Sequence, residues 1–244
     1  MSPESLALLS AGIFVVAVLY SSVGHAGASG YIAVMSLLAI APAVIKPTAL
    51  SLNILVALIA TWHFFRAGHL SWSLFWPFGM LAVPCAFLGG YLQLPSDIFK
   101  VIVGLVLLYS AARFFMAPAT EGPVTRPPLL PALASGAVIG LLSGLTGTGG
   151  GIFLTPLLLF MGWASAKPAA GVSALFILLN SVAGLLGAFS NTKNLPDFIL
   201  PLLLAAALGG VIGSYFGSRR FAPVAIKRLL AAVLLIAGAK LILT

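Results

Sequence analysis

The sequence predicts an all-α polytopic membrane protein composed of two inverted repeats of about five helical segments each, with a glycine-rich break between the first two segments of each repeat. Three observations support this. The chain of 244 residues is 61% hydrophobic and only 7% charged, whereas a soluble domain is about 25% charged. Its apolar runs are continuous, as helical spans require, and do not alternate as barrel strands do. Finally, the two halves of the chain share motifs at matching positions.

Ten helical segments follow from reading the apolar runs against the glycine and proline breaks. Segment 7 has about 13 residues, which rise roughly 20 Å, less than the ~30 Å thickness of the hydrocarbon core. Each first pair of segments is therefore either a hairpin that turns near the midplane or a pair of tilted crossings. The expected segments are 5–21, 30–44, 47–66, 72–91, 97–116, 130–143, 151–163, 168–189, 197–217 and 223–243.

One polar linker divides the chain nearly in half. The stretch APATEGPVTRPP, at 117–128, is rich in proline and is followed again by apolar sequence. We expect a first membrane repeat at 1–117, a proline-rich linker at 118–129 and a second membrane repeat at 130–244. Because nearly all of the chain is used by apolar segments, no room remains for a soluble catalytic domain.

The halves match when the first is shifted by 121 positions. Ser22 then falls on Ser143, Lys46-Pro47 falls on Lys167-Pro168, and the glycine-rich turn at 24–30 falls on the one at 145–151. Each first pair of segments returns the chain to its starting side, and three full spans follow. Each half therefore makes an odd number of crossings, which predicts that the second repeat is inverted relative to the first.

The distribution of basic residues predicts the orientation, because cytoplasmic loops are enriched in lysine and arginine. With these segments, eight basic residues lie on one side of the membrane and four on the other. We expect the richer side in the cytoplasm and both termini on the opposite side. The richer side holds Arg66, Arg113, Arg126, Lys167, Arg219, Arg220, Lys227 and Arg228, and the other holds Lys46, Lys100, Lys193 and Lys240.

Several classes of function are excluded by composition. The net charge of +8 comes from cations scattered between apolar runs, so we expect no nucleic-acid partner. The single cysteine, Cys85, excludes an intramolecular disulfide and a metal site with two cysteine ligands. We expect no metal and no organic cofactor. The N-terminus lacks a basic region and a cleavage site, so its first apolar run is expected to be retained.

The glycine-rich breaks carry the main functional signal. HAGASGYI at 25–32 and TGTGGGIF at 146–153 each lead into a short helical segment. Irregular backbone at membrane depth is tolerated only where protein buries it or where it lines a cavity. The start of a helix offers free N–H groups and positive partial charge, which favour anions. Paired breaks of this kind point to the binding site of a secondary transporter, although small residues also serve close helix packing.

These breaks define a candidate substrate-binding set. His25 lies within the first turn and can donate to an oxyanion, carry a coupled proton, or act as a hydrogen-bonded structural residue. The hydroxyls near both turns would act as further donors. The full set is Ser22, His25, Gly27, Ser29, Gly30, Asn53, Thr146, Thr148, Gly149, Gly150, Gly151 and Asn180.

Four of the polar residues allow two interpretations each. Asn53 and Asn180 lie within long apolar helices, where an amide contacts either the substrate or another helix. Lys46 and Lys167 precede prolines at the mouths of two long segments. They either extend to the lipid headgroups or attract anions into a vestibule on each side.

The acidic residues restrict the substrate. The chain has only Glu4, Asp97, Glu121 and Asp197, and none lies in the middle of a predicted span, since Asp97 and Asp197 begin their segments. A transporter of cations usually needs a buried carboxylate, so we expect an anionic or neutral substrate. A coupled proton could then travel on His25 or on the anion itself.

The stretch GTGGGIFLTP at 147–156 resembles the signature of the TauE/SafE-type sulfite exporter family, also called the four-toluene-sulfonate uptake permeases. The resemblance lies in Gly147-x-Gly149-Gly150-Gly151, in Pro156 and in the leucines that follow, and it extends to the length of the chain and its duplication. VGHAGASGYIAVMSLL, at 23–38, is similar to a variant of the first-repeat copy. It departs from the second repeat because Ala28, Ser29 and Met35 replace Gly149, Gly150 and Pro156.

This resemblance implies an inner-membrane transporter of small sulfur-containing or organic anions, such as sulfite, sulfonates or thiosulfate. We expect alternating access around a midplane site between the turns at 22–30 and 145–151. Two alternatives stay open. One is a passive anion channel. The other is an intramembrane serine protease, because Gly27-Ala28-Ser29-Gly30 fits a G-x-S-G string and His25 or His63 could act as its base.

Overall fold

The computed structural model describes residues 3–92, 95–115, 124–189 and 195–219, together with positions 235, 239 and 242. Within these ranges every element of regular secondary structure is an α-helix, which confirms the predicted all-α class. The helices are α1 (Pro3–Ser21), α2 (Ala28–Leu37), α3 (Pro42–Arg66), α4 (Trp72–Tyr91), α5 (Ser96–Phe115), α6 (Leu129–Thr146), α7 (Gly151–Phe160), α8 (Ala166–Phe189) and α9 (Ile199–Arg219).

Six of the described helices are long and apolar enough to cross a membrane, namely α1, α3, α4, α6, α8 and α9. The chain is therefore a multi-pass membrane protein. Helices α2 and α7 have only 10 residues each, about 15 Å of helix, which is half of the hydrocarbon thickness. The predicted short segments thus occur at the same place in both halves of the chain.

Four predicted boundaries differ from the helix ends by three residues or more. Segment 2 was expected to extend to residue 44, but α2 ends at Leu37 and a turn follows, in which Ala39 has φ 56°. Helix α3 then begins at Pro42, whose fixed φ suits a first helical position. As a result, Lys46 lies within α3 and not before it. Similarly, α6 ends at Thr146, three residues after the predicted end at 143, and α7 ends at Phe160, three residues before the predicted end at 163.

Other predictions lie outside the described residues. These are most of the tenth segment at 223–243 and much of the proline-rich linker. The basic residues Lys193, Arg220, Lys227, Arg228 and Lys240 and the acidic residue Glu121 also fall there.

The helices pack as two groups. Helices α1, α2, α3 and α9 form the first group, in which α3 contacts the other three. Helices α4, α6, α7 and α8 form the second group, in which α8 contacts the other three. Contacts between α3 and α8 join the groups. Each group thus takes one long helix from the opposite half of the sequence, α9 in the first group and α4 in the second.

Glycines allow the closest helix contacts. Three glycines of α6 lie against carbonyl oxygens of α4, and three of α9 lie against those of α1 and of Ser22 directly after it, so that an added Cβ atom would overlap the carbonyl. Glycines at four-residue spacing pack membrane helices in this way. The pairs are Gly136 with Phe78, Gly140 with Ala82, Gly144 with Ala86, Gly209 with Phe14, Gly213 with Val18 and Gly217 with Ser22.

These pairs also give the directions of the helices. In both rows the residue numbers rise together, so α6 runs parallel to α4, and α9 runs parallel to α1. In contrast, Asn53 of α3 contacts Ser181 of α8, and Leu50 contacts Gly184. Because one number falls as the other rises, α3 and α8 are antiparallel where the two groups meet.

Candidate functional site

Two glycine turns separate the short helices from the long ones before them. The first turn, residues 22–27, joins α1 to α2, and the second turn, residues 147–150, joins α6 to α7. Gly27 and Gly150 are the N-cap residues of α2 and α7, with φ 110° and φ 81°, and no side chain caps either helix. Gly149 also has φ 75°. Since side chains disfavour positive φ, glycine is required at these positions.

The first turn is held by its own side chains. The Tyr31 hydroxyl donates to the Ala26 carbonyl at 2.6 Å, and the Tyr20 hydroxyl lies 2.9 Å from the Ser29 Oγ. The Ser22 hydroxyl donates to the Leu19 carbonyl at 2.6 Å. The hydroxyls of Ser22 and Ser29 are therefore used within the turn and its flanking helices.

Two glycines of the candidate set also serve packing at the first turn. A Cβ atom at Gly27 would lie 2.8 Å from the Tyr31 ring, and one at Gly30 would lie 2.5 Å from Val16. Gly30 therefore lies on the face of α2 that contacts α1.

His25 connects the two turns. Its side chain is buried, its Nδ1 lies 3.2 Å from the Val23 carbonyl, and its ring packs edge-on against Tyr20 at 6.4 Å. Because a carbonyl only accepts, Nδ1 carries the proton of this hydrogen bond. The Cδ2 atom lies 3.7 Å from the position of a Cβ atom at Gly151. The imidazole edge that contains Nε2 therefore faces the start of α7.

Three fully buried side chains with unpartnered atoms lie near the second turn, one each on α3, α6 and α8. We call Asn53, Ser143 and Asn180 the second-turn cluster. Among the described residues, no partner exists for Asn53 Oδ1, Ser143 Oγ, or Asn180 Oδ1 and Nδ2. Asn53 Nδ2 lies 2.6 Å from the position of a Cβ atom at Gly149, and the Ser143 Cβ lies 3.3 Å from that at Gly150.

Asn180 lies on the part of α8 that packs near the second turn. It is one turn after Phe176 and Ile177 of α8, whose side chains contact the positions of Gly150 and Gly151. Gly184, one turn further along α8, lies near Gly144 of α6. Residues four apart share a helix face, so Asn180 lies beside the end of α6, where the second turn begins.

The start of α7 adds backbone donors to this cluster. Phe153 and Leu154 both donate to the Gly150 carbonyl, at 3.0 and 3.1 Å. The N–H groups before them precede the first bonds of the helix and have no acceptor within it. Together with the positive end of the helix dipole they favour a negative ligand. Because Gly149, Gly150 and Gly151 carry no side chains, Asn53, Phe176 and Ile177 pack directly against this backbone.

The two threonines of the second turn bond to each other. The Thr146 hydroxyl donates to the Leu142 carbonyl at 2.7 Å, and the Thr148 Oγ1 lies 2.9 Å from the Thr146 Oγ1. Since the Thr146 proton is already used, Thr148 is the donor in the second bond. Both hydroxyls therefore stabilise the turn.

The two lysines occupy different environments. The Lys46 ammonium donates to the carbonyls of Gly89, Gly90 and Leu92 at 3.1, 3.0 and 3.3 Å. All three of its donors are thus used at the end of α4. Lys167 is exposed and lies near His69; burial and the Lys167 charge lower the pKa of His69 below its usual value.

Replacing Lys46 with methionine should destabilise the protein by about 2 kcal/mol, because three carbonyls at the end of α4 lose a charged donor. Methionine keeps most of the apolar stem, which packs beside Gly147. Thermal denaturation in detergent would measure the change. The exposed Lys167→Met variant serves as the control, and an equal loss in both variants would contradict this role for Lys46.

The structure does not assemble the serine–histidine pair of the protease alternative. The partner of Ser29 is Tyr20, whereas His63 Nδ1 lies 2.7 Å from the Ser214 hydroxyl. His25 uses its Nδ1 on a backbone carbonyl. Within the described ranges, no cluster of three or more histidine, cysteine or acidic residues could hold a metal ion.

Sequence reasoning missed Ser143 and Ser181 as residues of this site. Ser143 gave a signal, because it falls on Ser22 when the halves are matched. Ser181 gave none, since only the packing of α3 against α8 brings its Oγ to 3.4 Å from Asn53 Nδ2.

The fold and the two broken helix pairs define a class, that of multi-pass membrane proteins in which two short helices follow glycine turns at equivalent places in the two halves. The family model described as "Sulfite exporter TauE/SafE" matches residues 9–241. The chain belongs to this family, which confirms the resemblance given by the glycine signature.

Two relatives support the assignment. A probable membrane transporter protein of Sinorhizobium fredii is 41% identical over 99% of this chain and 100% of its own length. A probable membrane transporter protein of Methanocaldococcus jannaschii is 25% identical over 78% of this chain and 76% of its own length. No solved structure matches the chain well enough to count as a relative.

Proposed function

We propose that the protein is a secondary transporter of small anions and that the anion binds at the start of α7. The second-turn cluster is the observation that carries this proposal. Three fully buried polar side chains have unpartnered atoms around one helix N-terminus. Native proteins rarely leave buried polar groups unsatisfied, and a ligand with polar atoms would satisfy them. The family and its transporter relatives make sulfite, a sulfonate or a related sulfur anion the expected substrate class.

The packing of the helices supports two inverted repeats. In the matched halves, each helix from α1 to α4 is equivalent to the one from α6 to α9 at the same place. The contact of α4 with α6 then has its equivalent in the contact of α9 with α1, and that of α4 with α8 in the contact of α9 with α3. The contact of α2 with α3 likewise becomes that of α7 with α8. The equivalent helices α3 and α8 meet antiparallel, as inversion requires. Alternating access would then move the two helix groups against each other around the site.

The expected location is the cytoplasmic membrane of a bacterium, with both termini on the outer side. In this orientation Arg66, Arg126 and Lys167 face the cytoplasm, in agreement with the enrichment of basic residues there. Lys46 belongs to the opposite side. If transport is coupled to protons, the proton travels on the anion or on His25, which faces the start of α7.

Ser143→Ala should leave the fold intact and weaken anion binding, because it removes one unpartnered hydroxyl beside Gly150. A ligand at about 100 times its Kd should stabilise the wild type by about 2.7 kcal/mol. The measurement is the thermal stability of the purified protein in detergent with sulfite, sulfate, thiosulfate, sulfoacetate, taurine or chloride.

The matched control is Ser135→Ala, two turns earlier on the same helix, where the hydroxyl bonds only to the backbone of α6. We expect this variant to keep the wild-type response to the anion. If no anion stabilises the wild type, the proposed site is wrong. If one does so equally in Ser143→Ala, the anion binds elsewhere.

A further inference from the structure

The second-turn cluster contains hydrogen-bond acceptors as well as donors. An anion needs donors, and the N–H groups at the start of α7 supply them. However, the carbonyl oxygens of the Asn53 and Asn180 side chains are also buried and unpartnered. An amide oxygen carries negative partial charge and repels the oxygens of a bound anion. Its presence at an anion site therefore needs a reason.

The second-turn cluster has an unpartnered acceptor whichever way the side-chain amides are oriented. Oxygen and nitrogen of an asparagine amide are assigned from their partners, and for Asn53 one end contacts Ser181. For Asn180 both ends are unpartnered. Whichever way the Asn180 amide is turned, it has one free donor end and one free acceptor end beside the second turn.

A ligand satisfies both ends only if it has both kinds of group. We propose that the site selects a monoanion that carries a hydrogen-bond donor, and that Asn180 recognises this donor. Hydrogen oxyanions, such as hydrogen sulfite, and hydroxy- or aminosulfonates meet this requirement. Fully ionised oxyanions and plain alkylsulfonates do not. This inference rests on the proposed function, because it concerns the same site.

The charge at the site agrees with a single negative charge. A helix N-terminus contributes roughly half of an elementary charge. The ammonium of Lys46, the cation of α3 beside Gly147, already has three carbonyl partners. The rest of the cluster consists of neutral amide and hydroxyl groups. These groups compensate one negative charge better than two.

Two stable sulfonates of nearly equal size test the proposal. Isethionate ends in a hydroxyl group where 1-propanesulfonate ends in a methyl group, and both are monoanions at neutral pH. Calorimetric titration of the purified protein in detergent at one pH should give about tenfold tighter binding of isethionate, since propanesulfonate leaves the buried acceptor unsatisfied. Because the pH and the ligand charge are the same, the titration of His25 does not enter the comparison.

The variant Asn180→Leu removes the acceptor, so it should bind isethionate about as tightly as propanesulfonate, or more weakly. Ser135→Ala should keep it. Equal or tighter binding of propanesulfonate by the wild type overturns the inference while the anion site stands. A preference that persists in Asn180→Leu also overturns it, because another group then recognises the donor. If the wild type binds neither sulfonate nor sulfite nor any other anion of the panel, the proposed function itself fails.

Discussion

Replacing Gly140 with alanine should destabilise the protein by about 3 kcal/mol, the upper range for overpacking a well-packed interface. The added Cβ atom would overlap the carbonyl oxygen of Ala82 and lie 2.6 Å from its Cα atom. Backbone cannot move aside as a side chain can. Gly136 and Gly144 fix the same contact one turn before and one turn after, so α4 and α6 would have to separate along their length. Thermal denaturation in detergent would measure the loss.

Gly184→Ala is the matched control, because it is also a glycine within a long helix of the same group. Its added Cβ atom would be 3.5 Å or more from its neighbours, which is ordinary contact. Alanine also favours helix more than glycine does, by up to ~1 kcal/mol. Gly184→Ala should therefore be neutral or stabilising. Similar stability of both variants would show that the glycines of α6 are not needed for close packing.

Much of the fold could be predicted because the membrane imposes strong rules on sequence. Spans need about 20 apolar residues, and breaks at membrane depth need glycine. These rules predicted the broken pairs α1–α2 and α6–α7. They could not predict that Pro42 would begin α3, since Lys46-Pro47 was an equally plausible start. They also gave no information on which helices pack together, because the packing of α4 against α6 and α8 depends on contacts between residues distant in sequence.

The candidate site was only partly predictable for a related reason. The turns and both asparagines were identified from their types and positions. However, the hydroxyls of Ser22 and Ser29 were expected to be available and are used by Leu19 and Tyr20. A serine has the same appearance in the sequence whether its hydroxyl bonds to its own helix or faces a ligand. The difference between the two turns therefore became visible only with the hydrogen bonds in place.

This difference links stability to function. At the first turn the hydroxyls of Ser22, Ser29 and Tyr31 all have partners within the turn or its flanking helices, which stabilises the ligand-free protein. At the second turn Asn53 Oδ1, Ser143 Oγ and both ends of the Asn180 amide are buried without partners among the described residues, at a cost of about 1–3 kcal/mol for each such group. Proteins keep destabilising features of this kind where function requires them. Removing one of them should therefore raise the stability of the ligand-free protein and weaken anion binding at the same time.

Asn180→Leu should raise the unfolding free energy of the ligand-free protein by about 2 kcal/mol, because an unpartnered amide is replaced by an apolar group of similar size. The same variant should lose the additional stabilisation by donor-bearing anions such as isethionate, and it should take these anions up into proteoliposomes more slowly than the wild type. Asn53→Leu is the comparison. Its amide already contacts Ser181, so its removal should bring a smaller gain, or none. Loss of stability in Asn180→Leu would mean that the amide has a structural partner, and uptake of isethionate at the wild-type rate would contradict its role in transport.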